Sequence, residues 1–387
     1  MRDKAVADAI QANPAHLLLI GTRTAAVEAA GRLGCRVTLA SRGAPRRSVV
    51  RFVDRLVTFD EGLEPVERLA EQVDLGSIDF VVAATESAVI PAAVLREQGG
   101  LPGAGLRTAR LCRDKIAMKR AVRRRGIACA DFELTTAETT PEALLDRFGL
   151  PLVLKRRRGS GSRGLRIVRS KAELPTTIPS GRVAERWVEG IEMSCDAIVA
   201  AGRRVFSNYT EYVERGWANL VPAELSPADA DGVARVLDAV IDAFEIERGF
   251  VHLEVFLTSE GPVFGEIALR PPGGELLRLI RESYGFDPWE AWLQAEMGRV
   301  PSCPKAARSF SAVRFFHPGI GVVRSVSGWD EATAIEGVVE ARCKVRPGTV
   351  VTKRLGTGQS SGLILARGAT RLAALGALAR ASECVRI

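Results

Sequence analysis

The sequence predicts an α/β protein of two or three packed domains that opens on a parallel sheet, and three observations carry that prediction. The chain has 387 residues, of which 47% are hydrophobic, which is too long for one small core and too apolar for disorder. Through residue 105, short apolar runs alternate with helical patterns: His16 to Ile20 and then a helix, Arg36 to Ala40, Phe80 to Ala84 and then another helix. That alternation is what parallel strands with helical crossovers require. The longest apolar stretch, about Phe80 to Leu95, is interrupted by Glu86, so no run approaches the roughly 20 apolar residues that span a bilayer.

The elements follow in order. Gly21 comes directly after the first strand, but Gly21-Thr22-Arg23-Thr24-Ala25-Ala26 is not G-x-G-x-x-G, so a nicotinamide site is not expected. A helix carrying Asp114, Lys115, Met118 and Lys119 ends at Gly126, and a strand from Cys129 to Leu134 follows it. A helix near Pro141 to Phe148 leads through Gly149 to the apolar strand Pro151-Leu152-Val153-Leu154-Lys155. From Val183 to Phe256 strands mix with one long helix, about Pro227 to Ala243. The segment from about Phe310 onward carries short strands and a last helix near Thr370 to Ala381, and no internal repeat occurs.

Several function classes are disfavoured by composition. Met1 to Pro14 lacks the apolar core of a secretory signal, so the cytoplasm is the expected compartment. Cysteines 35, 112, 129, 195, 303, 343 and 384 form no C-x-x-C pair, which argues against zinc and disulfide frameworks and suggests reduced, mostly buried thiols. None of His16, His252 and His317 lies in a nucleophile signature, so triad chemistry is not expected. The net charge of +8 raises the question of nucleic acid. The arginine runs at 123–125 and 156–158 have no interleaved aromatics, however, and with 6% aromatic residues in the chain they read as solvated surface.

Two stretches carry chemistry. Lys155 ends an apolar strand, and Arg156-Arg157-Arg158-Gly159-Ser160-Gly161-Ser162-Arg163-Gly164 follows at once. Glycines admit backbone N–H groups to phosphate oxygens, Ser160 and Ser162 add hydroxyl donors, and the lysine is anchored, a combination suited to a polyphosphate. An ordinary hairpin turn has the same composition, and the loop is not a Walker A sequence. The second stretch, Val251 to Arg270, reads as a hairpin whose turn is centred on Glu260, with residue 258 opposite 262 and Glu254 opposite Glu266. Period-two alternation then places His252, Glu254, Glu266, Ala268 and Arg270 on one face and Leu253, Val255, Ile267 and Leu269 on the other. Facing carboxylates repel, and a divalent cation shared with phosphates would compensate them; solvent screening is the alternative.

Lys115 in Asp-Lys-x-x-Met-Lys, Lys155 before the glycine-serine loop, Glu185-Arg186-Trp187-Val188-Glu189-Gly190-Ile191-Glu192, Glu254, and Glu266-Ile267-Ala268-Leu269-Arg270-Pro271 occur in the order of the ATP-grasp superfamily, over roughly residues 15–300. The final segment resembles the C-terminal subdomain of L-amino-acid ligases. The resemblance implies an ATP-grasp fold: a Rossmann-like pre-ATP-grasp domain at 1–105, an ATP-grasp domain at 106–305 divided into 115–190 and 191–305, and a C-terminal subdomain at 306–387. It implies that Lys115 and Lys155 hold ATP phosphates beneath the loop bearing Ser160, Gly161 and Ser162. Glu185, Trp187 and Val188 would be the adenine hinge, Glu192 the ribose acceptor, and Glu254 and Glu266 the Mg2+ carboxylates. Ala268 stands where many members carry a further asparagine ligand, which implies sparser metal coordination.

Glu-x-x-x-Arg-Pro-x-Gly-Gly is similar to the amino-acid and peptide ligase branch, in which the arginine, here Arg270, contacts the acyl phosphate. The implied activity is ATP-dependent carboxylate–amine ligation with release of ADP and phosphate. The implied partners are small-molecule carboxylate and amine substrates, amino acids first among them, and a second copy of the chain, with no membrane and no nucleic acid. The alternatives are an ATP-grasp carboxylase or thioester-forming ligase and a non-catalytic nucleotide binder. No Ala-Met-Lys-Met-like carrier segment supports a carboxylase. Substrate choice is expected in the loop Tyr209 to Val221, through Tyr212, Trp217 and Asn219.

Overall fold

The computed structural model describes residues 14–58, 65–356 and 358–387; residues 1–13, which carry the reading against export, lie outside them. Strands β1 (His16–Ile20), β2 (Arg36–Ser41), β3 (Arg55–Thr58) and β4 (Phe80–Ala83) form a parallel sheet in the order β3-β2-β1-β4. The edge strand β3 adds to the three expected, and its mostly exposed Arg-Leu-Val-Thr gives no apolar run to announce it. β1 and β4 are buried along their whole length, the condition of inner parallel strands covered on both faces. The strand order makes the space between β1 and β4 a switch point, since the chain leaves β1 towards β2 and returns to β4 on the other side. Gly21, at φ +92°, closes the end of β1, where an added Cβ would stand 2.3 Å from Thr85 Oγ1. Only glycine allows the loops after β1 and β4 to meet there.

The second unit is a small antiparallel sheet of β5 (Phe132–Leu134), β6 (Leu152–Arg156), β7 (Arg166–Val168) and β8 (Arg182–Arg186), in the order β5-β8-β6-β7. The expected strand from Cys129 begins three residues late; Cys129 itself bridges Phe264 instead. Helix Pro141–Phe148 is capped by the Thr140 hydroxyl and packs Leu144 and Phe148 on Leu152, Leu154 and Val168. Helix Lys115–Arg124 is capped by Asp114, which accepts from Ile116 N at 3.1 Å and Ala117 N at 3.3 Å. Asp114 also takes Arg157 at 2.7 Å and Arg158 at 3.5 Å, so two residues of that arginine run are tie-points within an otherwise solvated surface. Arg123 likewise holds Asp131 at 3.1 Å and stands over the Phe132 ring.

The third unit is an eight-stranded sheet in the order β13-β12-β9-β10-β11-β14-β18-β16. Its strands are β9 (Ile191–Ala200), β10 (Arg203–Glu214), β11 (Ala218–Val221), β12 (Gly249–Thr258), β13 (Gly261–Leu269), β14 (Phe310–Phe316), β16 (Val338–Cys343) and β18 (Gly362–Gly368); β15 (Gly321–Val322) and β17 (Val350–Val351) pair separately. Helix Pro227–Phe244 lays Val233, Leu237, Val240 and Phe244 on Leu253, Val255, Phe264 and Ile267, the apolar face expected of the hairpin. Apart from the β15–β17 pair, the strands of the last segment join the large sheet, because β14 pairs with β11 and continues the same ladder. All seven cysteines are free, but only Cys112 and Cys195 are buried; the other five are half-buried, contrary to expectation. Among the described residues no helix is long and apolar enough to cross a membrane.

The β12–β13 register positions the site. Thr258 pairs with Gly261, so the turn is the two-residue Ser259-Glu260 and not a loop pairing 258 with 262. Gly265 then adds one residue as a bulge, and beyond it Glu254 faces Glu266, as expected though by a different route. An ideal Cβ on Gly265 would lie 2.9 Å from Glu254 O, so the bulge needs its missing side chain.

Candidate active site

The twelve residues assigned to ATP, Mg2+ or the acyl phosphate line one cleft of about 500 Å³, bounded by the parallel sheet, the small sheet and the β12–β13 hairpin. One wall is the hairpin face, where alternation sets His252, Glu254, Glu266, Ala268 and Arg270 inward. The facing carboxylates do not stand alone. Lys115 Nζ donates to Glu266 Oε1 at 2.8 Å and to Gly159 O at 3.2 Å. His252 Nε2 lies 3.5 Å from Glu254 Oε1, while its Nδ1 is 2.7 Å from the buried Asp196. Burial alone would push Glu254 up, but His252, Lys155 and Lys115 outweigh it and bring its carboxyl down to about 2. Burial also disfavours charge on His252, yet Asp196 and Glu254 raise it to about 9. Each of the two glutamates thus has a basic side chain of the protein beside it, Lys115 at Glu266 and His252 at Glu254.

The floor is built round Glu185, a buried β8 residue between Phe132 and Val153 on the neighbouring strands. Its Oε2 takes Lys155 Nζ at 2.9 Å, and its Oε1 faces Lys119 Nζ at 3.4 Å without making a hydrogen bond. Burial pushes Glu185 up, and the two lysines more than reverse it. Lys119 is 1% exposed, and burial lowers its proton affinity despite Glu185. Lys155 is pulled the other way: Glu185, Glu266 and Glu254 outweigh its burial and raise it. The side chain of Glu185, a residue expected in the adenine hinge through its backbone groups, positions Lys155 and faces Lys119. Of the other hinge residues, Trp187 gives its N–H to Pro151 O at 3.4 Å and lies under Arg169, and Val188 lines the cleft beside it.

Glu192 is the second residue of β9, and Arg215 Nε holds it at 2.9 Å. Burial and the neighbouring Glu254 raise Glu192 to about 7. Arg270 points to neither glutamate of the hairpin. Its Nε donates to Glu86 Oε2 at 2.6 Å and its Nη1 to Pro271 O at 3.0 Å, and Arg113 holds the other oxygen of Glu86. Tyr212 and Asn219 line the cleft as expected. Trp217 does not: it is the platform for Arg354, whose guanidinium carbon lies 3.7 Å from the ring centroid.

The residues missed in the sequence are Lys119, Glu86, Arg23, His252 as a partner of Glu254, and the C-terminal Gly356, Gly358 and Gln359, all in the cleft wall. Two had a signal. Lys119 follows Lys115 by one helical repeat and so shares its face, and Glu86 is the charge that breaks the apolar stretch. Arg354 had none.

A glycine-serine loop over lysines faces a hairpin of paired carboxylates between two sheets, and over this region the chain carries an ATP-grasp domain, whose model matches residues 112–274. An L-amino acid ligase C-terminal domain 2 model matches residues 314–387. The chain is 27% identical over 319 residues to the L-arginine-specific L-amino acid ligase of Bacillus subtilis, covering 77% of this chain and 76% of that one. It is 32% identical over 212 residues to the D-alanine–D-alanine ligase of Ralstonia pickettii, covering 48% and 61% of the two chains. The fold is that of the L-amino acid ligase crystal structure from Bacillus licheniformis, with a TM-score of 0.79 at 19% identity over 96% of this chain and 98% of that one.

Proposed function

We propose that this protein joins the carboxylate of one amino acid to the amine of another through an acyl phosphate, with ATP as phosphoryl donor and ADP and phosphate as products. The observation that carries the reading is the register that opposes Glu254 to Glu266 on the face that also presents Arg270, beneath Lys115 and Lys155. The names of the relatives, an L-amino acid ligase and a D-alanine–D-alanine ligase, support amino acids on both sides of the bond.

In this reading Lys115 and Lys155 hold the phosphates, and the loop with Ser160, Gly161 and Ser162 covers them. Trp187 and Val188 border the adenine, and Glu192, steered by Arg215, accepts from the ribose. Glu254 and Glu266 fit Mg2+, since two hard oxygen donors face each other across one strand pair and such a site is completed by phosphates and water. When bound there, the ion neutralises charge on the transferred phosphoryl group. The donor carboxylate oxygen attacks the γ-phosphorus and the bond to ADP breaks. The amine nitrogen then attacks the acyl carbon, phosphate leaves with the C–O bonding electrons, and the nitrogen loses a proton. Arg270, its Nε fixed by Glu86, turns its remaining guanidinium edge to the acyl phosphate, where charge grows towards the transition state.

The test is stoichiometry: with pairs of amino acids and Mg2+, ADP and phosphate accumulate one for one with the amide product. Accumulation of AMP and pyrophosphate instead would discard the acyl-phosphate route.

A further inference from the structure

In open α/β sheets ligands sit outside the carboxyl ends of the strands at a switch point, here the space between β1 and β4. The contact of Gly21 with Thr85 closes the two loops at that point on each other. Arg23, from the first loop, and Glu86, from the second, thereby enter the cleft wall beside Arg270. The charges there do not balance. Arg113 and Arg270 share the one carboxylate of Glu86, and Arg23 has none within ion-pair distance among the described residues.

Arg23 makes one hydrogen bond, from Nη2 to Pro272 O at 3.2 Å, and its other donors have no protein acceptor among the described residues. Burial and Arg270 lower its proton affinity, and the weaker attraction of Glu275 only partly offsets them. A half-buried guanidinium with unfilled donors beside a second guanidinium is relieved by an anion, and its planar fork matches a carboxylate.

We propose that Arg23 is the anchor for the carboxylate that does not react, the one carried by the amine substrate, so that the acceptor is selected as a carboxylate-bearing amine. The assignment rests on the ligase reading above. Position argues for the acceptor over the donor. The reacting carboxylate belongs where Glu254, Glu266 and Lys115 gather the phosphates, next to Arg270. Arg23 lies beyond that point, at Pro272, two residues further along the wall. Asn219, Leu276 and Phe315 line the same cleft and add one amide and two apolar groups to its wall.

The experiment measures ADP release with a fixed amino-acid donor and each of the L-amino acids as acceptor, alongside the matched amino-acid amides, for the native protein, Arg23→Ala and Arg23→Lys. In the native protein, amidation should raise the acceptor KM by 10-fold or more. Arg23→Ala should raise the KM for the free amino acid by a similar factor while leaving the KM for the amide and for ATP within about 2-fold. Arg23→Lys should recover part of the loss, and if Arg23→Ala fails to fold, the native amide series and the lysine variant decide alone. Equal use of amino acid and amide by the native protein overturns the assignment, as does an Arg23→Ala defect equal for both. A defect that follows the donor overturns it too. ADP release that no amine stimulates removes the ligase reading and the Arg23 anchor with it, whereas amine-stimulated release indifferent to amidation removes only the anchor.

Discussion

Glu185→Gln keeps the shape of a buried side chain but removes the charge that two lysines share. Lys155 has Glu254 and Glu266 within electrostatic reach, so the loss falls on Lys119, which is 1% exposed and has Glu185 as its ion-pair partner. Breaking a buried pair by deleting one partner costs about 3–5 kcal/mol. A ceiling comes from Lys119 itself, because an unpaired lysine escapes by losing its proton. From an unfolded value of about 10.4, that escape costs about 4 kcal/mol at pH 7.5 and about 1.4 kcal/mol less for each unit towards pH 10. The sign follows from direction: a lysine whose folded value is depressed destabilises the fold when it must be charged, and the penalty fades as pH rises. Melting of both proteins in steps from pH 7 to 10 should show a gap of several degrees at pH 7.5 that closes by pH 10. A gap that does not change with pH, or an unchanged midpoint at pH 7.5, would refute the assignment of Lys119 to Glu185.

Two further substitutions test the hairpin wall. Glu266→Gln should abolish Mg2+-dependent turnover, and without Mg2+ it should lower the thermal midpoint by about 1–2 kcal/mol of stability, because Lys115 exchanges a charged acceptor for an amide. Repulsion between bare facing carboxylates would predict the opposite, so a raised midpoint would show that Lys115 does not stabilise Glu266. Arg270→Lys keeps the charge but loses the fork that serves Glu86 and the acyl phosphate together, and kcat should fall about 10- to 1,000-fold with a smaller change in ATP affinity. Near-native turnover in that variant would make Arg270 a structural ion pair only.

The fold was legible wherever one periodicity ran unbroken. The buried β1 and helix Pro141–Phe148 lie at the residues their patterns indicated, and helix Pro227–Phe244 differs by one. Short elements without an apolar run, such as β3, gave no signal. The hairpin is the instructive case. A turn one residue too long and an unseen bulge at Gly265 cancel, so Glu254 meets Glu266 although the pairs nearer the turn are displaced by one. A bulge is a local change of twist, and a glycine in a strand pattern marks where it fits without specifying it.

The site was legible as residues but not as pairs, and the reason is distance along the chain. Glu86 and Arg270 are 184 positions apart, and Lys115 and Glu266 are 151 apart. No local pattern encodes such contacts, yet electrostatics demands them once the cations are gathered. Lysines and arginines drawn into a half-buried cleft for a polyphosphate repel one another and lose hydration, so each needs an acid close by in the protein itself. That demand gives Lys119 and Lys155 their Glu185, Lys115 its Glu266, Arg215 its Glu192 and Arg270 its Glu86. The motif glutamates therefore serve the protein before any ligand does. By the same demand, a cation left without an acid, as Arg23 is among the described residues, marks where the missing anion belongs to the substrate.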